Sequence, residues 1–216
     1  MKIEELIVFT DQIEKQKQFY QQVLDLDLIF NSEEKISFKA GRSLLTFQYK
    51  KDVKAAHFAF NIPSNKIDEA LVWFKKRVPI LPDGEAYISN FESWNAKAIY
   101  FYDADNNIVE CIARQDLNIE SVVEFSSKSI LSISEIAIAT TNISKIYEAI
   151  SSIKPIPVFD GNFNRFCALG SHEGLFILID KTVKTWQPTG EIAHTADFII
   201  RGDYNFSFID GEVLST

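Results

Sequence analysis

Cysteine is scarce in this 216-residue chain, which has only Cys111 and Cys167. Two isolated cysteines build neither a disulfide framework nor a zinc knuckle. Histidine is nearly as scarce, so imidazole chemistry can rest only on His57, His172 or His194. No apolar run approaches the roughly 18 residues of a membrane span. The opening Met-Lys-Ile-Glu-Glu has no apolar core behind a basic end, so no secretory leader is expected and a cytoplasmic address is the default. Basic residues are outnumbered, 22 Lys and Arg against 30 Asp and Glu, for a net charge of −8. Such a chain lacks the positive field that nucleic acid or an anionic membrane surface demands, and neither is expected as a partner. The glycines, Gly41, Gly84, Gly161, Gly170 and Gly174 among them, form no phosphate-binding pattern. Apolar residues, by contrast, make up 46% of the chain, with 18 Phe, 7 Tyr and 3 Trp. That excludes disorder and predicts cores or cavities rich in rings.

Short β-rich runs alternate with short amphipathic helices. A strand is expected at 3–10, a helix at 13–24, and strands at 27–31, 35–39 and 43–49. The order then restarts with a strand at 56–62, broken by Pro63. In the helix that follows, Ile67, Ala70, Leu71 and Phe74 share one face. Strands at 97–102 and 107–113 flank the tight-turn sequence Asp103-Ala104-Asp105-Asn106. A third restart has a strand at 133–140 and a helix capped by Asn142, with Ile143, Ile146, Tyr147 and Ile150 on one face. Strands are expected at 163–168 and 174–180. Residues 193–200 open a fourth unit that is too short for a helix and three further strands. The period is about 50 to 60 residues, and detecting it precedes any other statement about fold. An offset of 130 aligns Glu5 with Glu135, and one of 137 aligns His57 with His194.

Three stretches carry a family resemblance. They are Glu5–Leu24, with Phe19-Tyr20; Ala56-His57-Phe58-Ala59-Phe60-Asn61-Ile62; and Tyr100 to Glu110, with Asp103, Asp105 and Asn107. Together they resemble the vicinal oxygen chelate superfamily of glyoxalases, fosfomycin and bleomycin resistance proteins, and extradiol dioxygenases. The resemblance implies an α+β fold of tandem βαβββ modules forming cupped mixed β-sheets with helices outside, the second pair incomplete. The expected division is a paired-module domain at 1–115, a linker at 116–130 and a truncated second domain at 131–216.

Alternate strand residues share a face. His57, Ala59 and Asn61 therefore share one, and so do Ile108, Glu110 and Ile112, while Glu5 lies among Ile3, Ile7 and Phe9. A carboxylate among apolar neighbours must be protonated, hydrogen-bonded, paired or bound to a cation. Two carboxylates and an imidazole suit a divalent metal such as Fe²⁺, Mn²⁺, Zn²⁺ or Ni²⁺. The resemblance implies the same ligands, Glu5, His57 and Glu110, with Glu110 also serving as a catalytic base when displaced. Glu5 departs from the histidine of many relatives, which shifts the site toward harder cations. A fourth position falls near Leu44, which cannot ligate. The implied function is a metal-dependent enzyme of lyase, isomerase or ring-cleavage type acting on a small molecule with vicinal oxygens. The alternative is a metal-free ligand-binding protein of the bleomycin-resistance type. A third reading is an interaction module whose fourth unit pairs with a second copy as a homodimer. Trp94 and Trp186 are candidates for the mouth of a cup.

Overall fold

The computed structural model describes residues 1–215. The repeat dictates the element order. The first module has β1 (Ile3–Thr10), α1 (Ile13–Gln18, continued as a π-helical turn through Val23), β2 (Leu28–Asn31), β3 (Lys35–Ala40) and β4 (Ser43–Tyr49). The second has β5 (His57–Ile62), α2 (Ile67–Lys75), β6 (Ile80–Leu81), β7 (Ser89–Phe91), β8 (Ala96–Tyr102) and β9 (Ile108–Arg114). The third has β10 (Ser132–Thr140), α3 (Ile143–Ile153), β11 (Val158–Asn162), β12 (Phe166–Ser171) and β13 (Gly174–Asp180). The fourth consists, among the described residues, of β14 (Phe198–Gly202), β15 (Phe206–Ile209) and β16 (Glu212–Ser215).

Local chemistry accounts for these elements. The Asn142 side chain caps α3 by accepting from the Lys145 N–H at 3.0 Å, so one free donor of the first turn is satisfied. Ile143, Ile146 and Ile150 then recur on one face and are buried. Ile67, Ala70 and Phe74 do the same for α2. Both helices pack on one face of the sheet with Phe58, Phe60, Val109, Cys111, Ile136 and Ile138. The opposite parity of the same strands, including Ala59, Ile108, Ile112, Ala137 and Ile177, faces a second, smaller apolar cluster. Period-two alternation thus divides a helix-covered core from the inside of a cup.

Module pairing differs from the expected division. Within each of the first three modules the first strand runs parallel to the last: β1 with β4, β5 with β9, and β10 with β13. Each first strand has one remaining edge. The edge of β5 is taken antiparallel by β10, and that of β1 by β14. The second module therefore pairs with the third, and the first with the fourth. A domain closed within 1–115 is not what forms. β1 and β10 meet only at Ile3 opposite Ile133, which joins the two cups in one sheet. The alternation of a first strand records which face is apolar but not which partner lies along its edge. The His57-to-His194 alignment fails for a related reason. His194 lies in the irregular segment between β13 and β14 and is exposed.

The turn Asp103–Asn106 ties the first module to the second. Asp103 is buried and accepts hydrogen bonds from the Asp105 and Asn107 N–H groups and the Asn107 amide. It also accepts from Gln16 Nε2 and the Tyr20 hydroxyl, both at 3.0 Å. Asp103→Ala leaves these buried donors unsatisfied and should cost about 2–4 kcal/mol. Urea denaturation tests this, and a loss below about 0.5 kcal/mol would show that the turn is not a structural hub.

Candidate metal centre

The β5–β10 ladder sets Ala59 opposite Glu135, and the β5–β9 ladder sets Ala59 beside Glu110. His57 is two residues from Ala59 on the same face. Three strands from two modules thus converge on His57, Glu110 and Glu135. One ligand atom from each lies within 4.8 Å of the others, and all three residues are buried. His57 and Glu110 come together, with Nε2 3.6 Å from the carboxylate. Glu5 is not part of this group. It lies in the other cup, where Thr46 donates to it at 2.8 Å, Arg201 pairs with it at 3.1 Å and Lys35 lies at 4.0 Å. Glu135 occupies in the third module the place Glu5 has in the first. Each is set beside a leucine of its own module's last strand, Glu5 beside Leu44 and Glu135 beside Leu175. The position matching Glu110 in the third module is Ile177, beside Ala137 as Glu110 is beside Ala59. The fourth ligand position of this cup is therefore apolar.

Electrostatics make the group unstable as a set of bare charges. Burial pushes the His57 imidazole down to about 4, so it is neutral at physiological pH. Its Nδ1 donates to the Ile108 carbonyl at 2.9 Å, which leaves the lone pair on Nε2 facing Glu110. That is the tautomer and orientation a histidine ligand needs. Burial, and then the Glu135 charge, push Glu110 well above the usual carboxylate range, while Arg114 and a hydrogen bond from Tyr100 pull it back. Burial also raises Glu135, and the Arg114 guanidinium opposes the rise. Arg114 is completely buried, ion-pairs with Glu135 and lies over the Trp94 ring at 5.3 Å. One guanidinium cannot neutralise two buried carboxylates. The remaining negative charge calls for a proton or a cation, and the donor set fits a divalent metal. His57, Glu110 and Glu135 could hold one.

The cup is a cavity of about 250 Å³. Phe91, Trp94, Tyr100, Phe166 and Trp186 form much of its wall. Both tryptophans therefore serve one cup, Trp94 from the second module and Trp186 from the segment after β13. Trp94 Nε1 is fixed by Asp160 at 2.6 Å, and Trp186 stands 5.5 Å from the His57 ring. Arg114, Tyr100 and Lys184 are contributors that sequence reasoning missed. Arg114 was accessible through parity, since it continues the series Ile108, Glu110, Ile112. Lys184 lies in an irregular loop and has no such signal.

The sign of the pH dependence follows from His57. The unfolded chain takes up a proton near pH 6.5, whereas the folded imidazole resists it until about 4. This contribution to stability is full above pH 6.5 and is lost as the pH falls toward 4, by up to about 3 kcal/mol. In the metal-free protein, His57→Gln should therefore gain on the wild type as the pH drops from 7 to 4.5. Denaturant titrations at the two pH values measure this. A constant stability difference would mean that the imidazole is not held neutral by burial.

No protein-family model matches the chain, and no curated protein matches it. Similarity is found among solved structures. A protein from Bacillus subtilis subsp. subtilis str. 168, provisionally termed a dioxygenase, aligns over 99% of this chain and 68% of its own, with TM-score 0.60 and 14% identity. A lactoylglutathione lyase from Agrobacterium tumefaciens aligns over 50% of this chain and 90% of its own, with TM-score 0.44 and 20% identity. A point mutant of a fosfomycin resistance protein from Listeria monocytogenes, complexed with Mn(II) and 1S,2S-dihydroxypropylphosphonic acid, aligns over 53% of this chain and 89% of its own (TM-score 0.39, 24% identity). The whole-length alignment shows the architecture: the chain shares the fold of the Bacillus subtilis protein.

Proposed function

We propose that the chain is a metal-dependent enzyme acting on a small molecule with two vicinal oxygens, and that His57, Glu110 and Glu135 are the metal ligands. The convergence of these three buried side chains within 4.8 Å carries the proposal. A divalent ion held by these residues would supply Lewis-acid chemistry toward the substrate oxygens. One imidazole and two carboxylates suit Mn²⁺ or Fe²⁺, with Zn²⁺ and Ni²⁺ as competitors. His57 is oriented by the Ile108 carbonyl, and Glu135 is held by Arg114. Glu110, with Tyr100 beside it, is placed to take a proton from the substrate and return it. A carboxylate in that role favours a lyase or isomerase reaction over ring cleavage. The aromatic wall, which includes Trp186, lowers the polarity around the exchange.

Elemental analysis of protein purified without chelator, or reconstituted with each of the four ions, provides the test. Near one equivalent of metal is expected. His57→Ala and Glu135→Ala should lose it, whereas Glu5→Ala should keep it. Metal should also raise the thermal midpoint of the wild type, since an ion that binds only the folded state stabilises it. No retained metal and no thermal shift with any of the ions would overturn the proposal in favour of a metal-free binder with an aromatic cup. Loss of metal in Glu5→Ala alone would move the site to the other cup.

A further inference from the structure

Lys184 is the one lysine of the cup wall, and the metal centre does not use it. It sits on the irregular segment after β13, half-buried, with Nζ 5.4 Å from the centre of the Phe166 ring. Nearly every other charged side chain on the cup wall is committed: Glu135 pairs with Arg114, Glu110 faces His57, and Asp160 accepts from Trp94. Lys184 has no carboxylate partner among the described residues. Burial lowers its pKa, and the Arg165 cation lowers it further. An ammonium group kept partly out of water without an anion is costly, and here the cost is borne at the entrance to a binding cavity.

The charge balance of the loaded cup points the same way. A divalent ion and Arg114 would balance the carboxylates of Glu110, Glu135 and Asp160, so Lys184 leaves one positive charge in excess. Such a cup attracts anions although the chain as a whole carries −8. The cavity holds about 250 Å³ and is walled by rings, which limits the occupant to a small, flat molecule. We propose that the substrate carries an anionic group, a carboxylate or its equivalent, in addition to its two vicinal oxygens, and that Lys184 is the specificity residue that receives it. This rests on the function proposed above, which it narrows from vicinal-oxygen compounds to anionic, planar ones.

Matched probes separate the two ideas. Trp94 and Trp186 line the cup, so quenching of tryptophan fluorescence reports binding. The probes are 3,4-dihydroxybenzoate and 4-methylcatechol, which share a ring and a diol and differ in the anion. A third, 4-methylbenzoate, has the anion without the diol. With Mn²⁺-loaded protein, 3,4-dihydroxybenzoate should bind about tenfold or more tightly than 4-methylcatechol, the size expected for one charge-assisted hydrogen bond. Lys184→Met should abolish that difference and leave the 4-methylcatechol affinity unchanged, and Lys184→Arg should largely restore it. Equal affinity of the two diols for the wild type would overturn the proposal while leaving the metal centre intact. So would an equal loss of both diols in Lys184→Met, which would mark a structural role. If neither diol responds to Mn²⁺, the metal reading fails. Binding of 4-methylbenzoate to metal-free wild type but not to Lys184→Met would then still support Lys184 as an anion receptor, and its absence would overturn that as well.

Discussion

The antiparallel ladder between β5 and β10 is the constraint on which the cup of His57, Glu110 and Glu135 depends. It brings Glu135, from beyond the linker, to the same cup as His57 and Glu110. The register matters as much as the pairing. With Ala59 set against both Glu135 and Glu110, a small side chain lies where three larger ones converge. A slip of one residue would turn Glu135 toward the helices, among Phe58, Phe60 and Ile136, where no partner exists for a carboxylate. Burial of the Arg114–Glu135 pair opposes such a slip, because breaking it leaves two charges in an apolar interior.

The two cups show how one module design gives two outcomes. In the cup of β5 and β10, the positions on the first strands hold His57 and Glu135. In the cup of β1 and β14, Glu5 meets Arg201 from the facing strand, with Thr46 and Lys35 close by. There a guanidinium supplies the cation, so the carboxylate is satisfied by the chain itself. In the first cup the guanidinium of Arg114 answers only one of two carboxylates. The difference in chemistry therefore comes from a count of charges rather than from a difference in fold.

Much of this was legible in the sequence. The period, the helix faces at Ile67–Phe74 and Ile143–Ile150, the Asn142 cap and the strand parities of His57 and Glu110 all follow from spacing. Spacing is a local property, and these features are local. The choice of partner for each first strand is not. β1, β5 and β10 carry similar alternation, so the sequence is equally compatible with pairing within halves or across them. That single ambiguity put Glu5 in the place that Glu135 takes, although the alignment of the two residues was itself visible. Lys184 was beyond reach for another reason: irregular loops have no period from which a facing direction can be read.

The segment 181–197 serves two structures at once. Its Trp186 closes one cup beside His57, and its backbone turn is held where the Trp186 N–H donates to the Glu191 carbonyl. Glu191 accepts from the Tyr102 hydroxyl on β8, and Thr195 donates to the Ala139 carbonyl on β10. A few residues later Asp197 pairs with Lys50 of the first module, and β14 begins its ladder with β1. The roof of one cavity is therefore the tether of the other cup. Lengthening or shortening this stretch would alter ligand access and the seating of a distant strand together. A lineage that tuned its entrance through this loop would be held to lengths that both ends accept.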